Sequence, residues 1–185
     1  MSSYDEKSYD FLIKLRKFLS KLTNEIATFT PHYALWTCPS CKETNFTLST
    51  DNCLSNGRYC APDGDMKSQN NVLGKEVVYE DLTQLCLYEL DKSKWLDYVE
   101  GFYNNCFKRK IENFNLRKCS ESVYTLNHYD KEKVETCIND SFIDRSLSNR
   151  HDGENILLSQ EQKTFMTEGI QSWPTLRVNN ETYRV

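Results

Sequence analysis

The stretch of this chain whose residue types and spacing most directly suggest chemistry is Trp36-Thr37-Cys38-Pro39-Ser40-Cys41. Two thiols at i and i+3 in the first turn of a helix share a face and can close a small ring. The partial positive charge of a helix N-terminus favours the thiolate of the first. These are the requirements of thiol–disulfide exchange, with Cys38 as nucleophile and Cys41 as resolving thiol. A structural use of the pair competes with this. In the chain-entropy description a Cys38–Cys41 bond stabilises by only about 2 kcal/mol, against about 3.5 kcal/mol for a ring of some 27 residues such as Cys60 to Cys86. So short a ring staples little, and both uses stay open. Zinc would need two more ligands, and the sequence has no second Cys-x-x-Cys and no His-x-x-x-His, so no metal is expected.

The remaining polar residues offer less. His32, His128 and His151 fall in unrelated segments. Asp63, Asp65 and Glu76 suggest calcium only until Lys67, which stands where an EF-hand ligand belongs, and they read as solvated loop carboxylates. There is no glycine-rich phosphate loop and no Ser/His/Asp arrangement, so no cofactor is called for.

The elements that must position the cysteine pair are legible around it. His32-Tyr33-Ala34-Leu35-Trp36, bounded by Pro31 and Pro39, reads as a short buried strand. Pro39 then suits the first position of a helix, where its missing N–H costs nothing. Upstream, Phe11, Leu12, Leu15, Phe18, Leu19, Leu22 and Ile26 recur at three- and four-residue steps and predict an amphipathic helix. Downstream, Asp51 to Asn71 is rich in turn residues, including Asn56-Gly57 and Asp63-Gly64. From Gly74 to about Cys137 the period is helical. One stripe is Val77, Val78, Leu82, Leu85 and Cys86, and a second is Trp95, Tyr98, Val99, Phe102 and Cys106. Val123, Leu126, Val134, Cys137 and Ile138 suggest two shorter helices. Residues 141 to 155 read as a loop and 157 to 168 as a polar helix. Trp173-Pro174-Thr175-Leu176-Arg177-Val178, Asn179-Asn180 and Thr182-Tyr183-Arg184-Val185 then read as strand, turn and returning strand.

A strand followed by Cys-x-x-Cys and a helix, with a Pro174-Thr175 strand near the end, resembles the thioredoxin fold. The fold class is therefore α/β, thioredoxin-like, with a large cysteine-containing helical insertion, predominantly helical and with a small sheet. In that fold the proline is usually cis and packs against the cysteine pair, which makes Pro174 the third redox candidate. The expected organisation is an amphipathic helical segment at 1–29 and a thioredoxin-like domain at 30–185. The domain carries its insertion at about 53–168 and is truncated at its C-terminus, because the final strand has no cover after it.

Composition narrows the class. The 185 residues suit one domain, and low Gly and Pro content with 12% aromatics argues against disorder. A net charge of -4 leaves no basic surface for nucleic acid. Eight cysteines (Cys38, Cys41, Cys53, Cys60, Cys86, Cys106, Cys119 and Cys137) accompany three sequons, Asn45-Phe46-Thr47, Asn139-Asp140-Ser141 and Asn180-Glu181-Thr182. Paired structural disulfides and N-glycosylation at Asn45, Asn139 and Asn180 are expected in an oxidising lumen. Yet Lys14, Arg16, Lys17 and Lys21 interrupt the only apolar stretch near the start, so it is not a signal peptide, and no run of eighteen apolar residues spans a membrane. The expectation is either a cytosolic protein with reduced cysteines or a piece of a longer luminal one.

A resemblance favours the second. Thr30-Pro31-His32-Tyr33 through Cys38-Pro39, Asn56-Gly57-Arg58-Tyr59-Cys60-Ala61-Pro62-Asp63, Gly74 to Val78, Leu85-Cys86, Trp95 to Val99 and Cys106 resemble the central luminal region of plant-type vacuolar sorting receptors. So do Cys119, Val134 to Cys137, Pro174 to Asn180 and Tyr183-Arg184. The resemblance implies a type I membrane receptor carrying soluble cargo from the Golgi toward a vacuole or lytic compartment. It places this module in the secretory lumen, between a protease-associated domain before it and EGF-like repeats, a transmembrane helix and a sorting tail after it. One departure stands out. The family pattern lacks a cysteine at the position of Cys41 and carries one shortly before the match to Cys53, where this chain has Ser49 to Asn52. Trp173, bulky and next to Pro174, would crowd a substrate disulfide, which weighs against an enzyme.

Overall fold

In the computed structural model the described residues are 1–19, 28–39, 51–62, 72–108, 115–144 and 153–184. In chain order they form α1 (Glu6–Leu19), β1 (Cys53–Leu54), β2 (Tyr59–Cys60), α2 (Gly74–Leu90), α3 (Lys92–Phe102), a π-helical turn (Tyr103–Phe107), α4 (Leu116–Leu126), α5 (Lys131–Asp140), α6 (Ile156–Thr167), β3 (Thr175–Val178) and β4 (Glu181–Arg184). The fold is thus predominantly helical with little sheet.

Helix starts follow from capping chemistry. Asp91 accepts from Ser93 N–H (3.0 Å) to open α3, Asn115 from Lys118 N–H (2.9 Å) to open α4, Asp130 from Glu132 N–H (3.0 Å) to open α5, and Asn155 from Leu158 N–H (3.0 Å) to open α6. Each side-chain oxygen satisfies a backbone donor that the helix itself leaves unpaired.

α2 is the axis of the molecule. It is buried nearly all round, from Val77 to Tyr88 except Tyr79, as a helix surrounded by other elements must be. α3, α4, α5, α6 and the β1–β2 hairpin all pack on it. Trp95, Tyr98 and Phe102 of α3 fill the space beside it, each at most 1% exposed. α1 joins the same core: Tyr9 stacks on Phe102 and Tyr103 at 6.0 and 5.1 Å between ring centroids, and Arg16 pairs with Asp97 and Glu100 of α3. Three disulfides fasten the set. Cys86–Cys137 joins α2 to α5, Cys106–Cys119 joins the π-turn to α4, and Cys53–Cys60 closes the first hairpin.

Several expectations change. His32–Trp36 forms no strand; Trp36 alone makes a bridge, to Cys60 of the two-residue β2. Cys60 pairs with Cys53 and Cys86 with Cys137, so no Cys60–Cys86 ring exists. Leu126 is 75% exposed at the end of α4, outside the stripe assigned to it. Glu76 is no loop carboxylate: it lies in the first turn of α2, 3.8 Å from Arg117. The proposed loop at 141–155 is tied across its described ends by a bridge between Phe142 and Asn155. The C-terminal hairpin stands as expected, with Thr175 opposite Arg184 and Val178 opposite Glu181. Asn179 and Asn180 turn the chain at φ 49° and 70°, the left-handed pair that tight hairpins require.

Candidate functional site

Three places in the fold carry concentrated chemistry. The first surrounds Cys38. Trp36 and Cys60 exchange two backbone hydrogen bonds (3.2 and 2.9 Å), and Cys38 N–H donates to Gly57 O at 2.9 Å. This docks the residues before Pro39 onto the β1–β2 hairpin, whose turn runs through Ser55, Asn56 and Gly57 at φ 54°, 54° and 84°. Cys38 is disulfide-bonded and packs against the Cys53–Cys60 pair. Beside it a cavity of about 290 Å³ is lined by Thr37, Pro39, Gly57, Arg58, Tyr59 and Glu154 among others. Its floor is fixed by Tyr59, whose hydroxyl lies 2.6 Å from Ser159 Oγ and accepts from Asn155 N–H at 2.9 Å. Cys41 and the helix expected to follow Pro39 lie outside the described residues, as do Asn45, Asp63, Asp65, Lys67 and His151.

The second place is a groove of about 720 Å³ between α1, the 28–34 segment, α6 and the C-terminal hairpin. Phe11, Leu15 and Phe18 form one wall and Ile170, Leu176 and Val178 the other. The amphipathic stripe of α1 is therefore divided. Tyr9 and Leu12 enter the core, while Phe18 is 59% exposed and faces the groove. A polar rim is supplied by His32, whose Nδ1 lies 3.1 Å from Glu161 Oε1, and by the Arg177–Glu168 ion pair. Glu161 is itself buried and accepts from Tyr33 N–H at 2.7 Å. Pro174 lines this groove, and the Trp173–Pro174 bond is cis. Pro174 is not among the residues that line the cavity beside Cys38, and β3 pairs with β4, whereas the Cys38 segment pairs with β2; Cys41, the other member of the expected pair, lies outside the described residues.

The third is a buried polar network on α2. Glu80 accepts from Tyr98 O–H (2.6 Å) and Gln84 Nε2 (2.9 Å). Gln84 Oε1 accepts from Tyr33 O–H (2.8 Å), and Tyr9 O–H donates to Ser3 O (2.6 Å). Asp81 accepts from Ser3 N–H (3.0 Å), while its other oxygen has no hydrogen-bond partner among the described residues. Burial pushes the Glu80 carboxyl up to about 7 and Asp81 up to about 8, because the charged form loses its hydration. This network escaped the sequence reading. Glu80, Asp81 and Gln84 look like an exposed polar face; only the fact that α2 is covered on all sides reverses that.

Other predicted residues are dispersed. His128 is exposed at the end of α4 at φ 60°. Asn139 is half-buried on α5, with Ser141 of its sequon donating to Ile138 O at 2.6 Å, whereas Asn180 is exposed in the hairpin turn. Among the described residues no group of His, Cys, Asp and Glu could hold a metal ion, and no helix is long and apolar enough to cross a membrane.

Comparison with known proteins adds what geometry alone does not. A family model described as the vacuolar sorting receptor thioredoxin-like domain matches residues 2–185. The chain is 36% identical over 168 residues to vacuolar-sorting receptor 1 of Pisum sativum, covering 84% of this chain and 25% of that one. It is 35% identical over 168 residues to vacuolar-sorting receptor 4 of Arabidopsis thaliana (84% and 24% covered), and 33% identical over 186 residues to vacuolar-sorting receptor 5 of the same plant (97% and 29% covered). The chain thus spans about a quarter of the length of the curated relatives it matches.

Proposed function

Because the chain belongs to the vacuolar sorting receptor family, as its thioredoxin-like domain, we propose that it is the cargo-contacting luminal module of a sorting receptor. It takes part in carrying soluble proteins from the Golgi toward a vacuole or lytic compartment. In the longer receptor it sits between a protease-associated domain and EGF-like repeats, and its boundaries are a helical segment at 1–29 and a thioredoxin-like domain at 30–185 with its insertion at about 53–168.

The observation that carries the reading is the apolar groove. It is open, walled by Phe11, Leu15, Phe18, Leu176 and Val178, and bordered by β3, whose outer edge pairs with no strand among the described residues. An extended segment of a soluble cargo protein fits this chemistry: side chains enter the apolar trough while its backbone meets the free edge of the hairpin. No catalytic turnover of a substrate is assigned to Cys38, Cys41 or Pro174: the relatives bear the names of receptors, and Pro174 lines the groove.

The test is fluorescence anisotropy with a labelled twelve-residue peptide alternating Leu and Ser, against the same peptide with Asp for Leu. Binding of the first alone is expected, weakened about tenfold or more by Phe18→Asp combined with Val178→Asp. Equal binding of both peptides, or binding indifferent to the two substitutions, would overturn the assignment to this groove.

A further inference from the structure

We propose that Cys38, Cys53 and Cys60 form one thiol–disulfide exchange centre, in which Cys38 is the entry point through which the buried Cys53–Cys60 bond is opened. Three observations point to it. Cys38 packs directly against the Cys53–Cys60 pair, in a sulfur cluster separate from the main core. The backbone on both sides is pinned, by the paired hydrogen bonds between Trp36 and Cys60 and by Cys38 N–H to Gly57 O at 2.9 Å. Exposure is graded, with Cys60 at 0% and Cys53 at 7%, while Cys38 is partly open. A small thiol in solution therefore reaches Cys38 far more readily than the hairpin disulfide.

The step balances without a further co-reactant once Cys38 is a thiolate. Two molecules of reduced glutathione open the disulfide that holds Cys38: the first bonds to the partner sulfur and releases Cys38 as a thiolate, and the second displaces the first as glutathione disulfide, leaving the partner sulfur a thiol. The Cys38 sulfur then donates an electron pair to the Cys60 sulfur, a Cys38–Cys60 bond forms, and the Cys53–Cys60 bond breaks with its pair left on Cys53. Cys53 leaves as a thiolate and takes a proton from water. The number of protein disulfides is unchanged in this second step. Cys60 is the sulfur that Cys38 attacks, because its strand is the one hydrogen-bonded to the Cys38 segment. Holding the two sulfurs together makes the step intramolecular, with the high effective concentration that implies, while the direct route to Cys60 stays closed by burial.

Two variants of the full chain, produced in a secretory host, test this. Cys41→Ser removes the one other cysteine outside the three pairs that join Cys53 to Cys60, Cys86 to Cys137 and Cys106 to Cys119. After incubation at pH 8, acid quenching, alkylation and peptide mapping, it is expected to give two species: Cys38–Cys60 with alkylated Cys53, and Cys53–Cys60 with alkylated Cys38. Only the second species, even after prolonged incubation, would overturn the proposal. Independently, glutathione is expected to expose Cys53 and Cys60 to alkylation about tenfold more slowly in Cys38→Ser with Cys41→Ser than in the unaltered chain. Equal rates would overturn it equally.

Discussion

Tyr98 donates a 2.6 Å hydrogen bond to Glu80 where neither residue is more than 2% exposed, and this contact between α3 and α2 is the hub of the buried polar network. The same Glu80 oxygen accepts from Gln84 at 2.9 Å. Tyr98→Phe keeps the packed ring but takes one donor from a buried carboxyl, and a loss of about 1–3 kcal/mol is expected. Chemical denaturation at pH 7 measures it. A change within about 0.3 kcal/mol would mean that Glu80 does not depend on Tyr98.

The carboxyls also set how stability responds to pH. Glu80 and Asp81 have folded-state values of about 7 and 8, raised by burial from 4.5 and 3.8. Between those limits the folded chain holds protons that the unfolded chain has released. Their contribution is fully present below the unfolded values and is lost as pH rises through 7 to 8. The melting temperature is therefore expected to be higher at pH 5.5 than at pH 8.5, by about 5 °C or more. Asp81→Asn flattens the dependence, since an amide has no proton to lose in this range. A profile that rises with pH, or one that the variant leaves unchanged, would contradict this.

Gly74 opens α2 against the first hairpin. A Cβ there would lie 2.4 Å from Ala61 O and 2.9 Å from Asn52 Cα and O, all backbone atoms that cannot swing aside. Gly74→Ala is accordingly expected to destabilise by about 1–3 kcal/mol, in contrast to the small gain that alanine gives at an exposed helical glycine. Thermal melts of the single variant decide the sign.

The three located disulfides differ in what they constrain. Cys86–Cys137 closes a separation of 51 residues and Cys53–Cys60 one of 7. In the chain-entropy description these are worth about 4 and about 2.5 kcal/mol. Replacing both cysteines of the first pair by alanine should lower the melting temperature by about 10 °C and replacing both of the second by less. Calorimetry of the two double variants gives the ranking.

Glycosylation should discriminate between sequons. Asn180 is exposed in a hairpin turn, whereas Asn139 is half-buried on α5 and its partner Ser141 is buried and hydrogen-bonded. In a secretory host a glycan is expected on Asn180, and Asn180→Gln should remove it. Mass spectrometry finding Asn139 occupied and Asn180 bare would reverse this ordering.

Much of the fold is legible in the residues themselves. The stripes Val77/Val78/Leu82/Leu85/Cys86 and Trp95/Tyr98/Val99/Phe102/Cys106 are buried as their spacing requires. Asp91, Asn115, Asp130 and Asn155 mark helix starts by their own side chains. The Asn179-Asn180 turn is equally local. These features depend on neighbours three or four positions away, which a linear reading contains.

What a linear reading does not contain is which surfaces meet. The sequence alone determined the helical period, the C-terminal hairpin and the family resemblance. Tertiary structure decided that Cys38 lies on the Cys53–Cys60 bond, that Pro174 belongs to a groove shared with Phe11 and Phe18, and that Glu80 and Asp81 are sealed inside. The physical reason is common to all three. Pairing of sulfurs, walls of a groove and loss of hydration are set by residues as far apart in the chain as Phe11 and Pro174, and neither periodicity nor local propensity carries that distance.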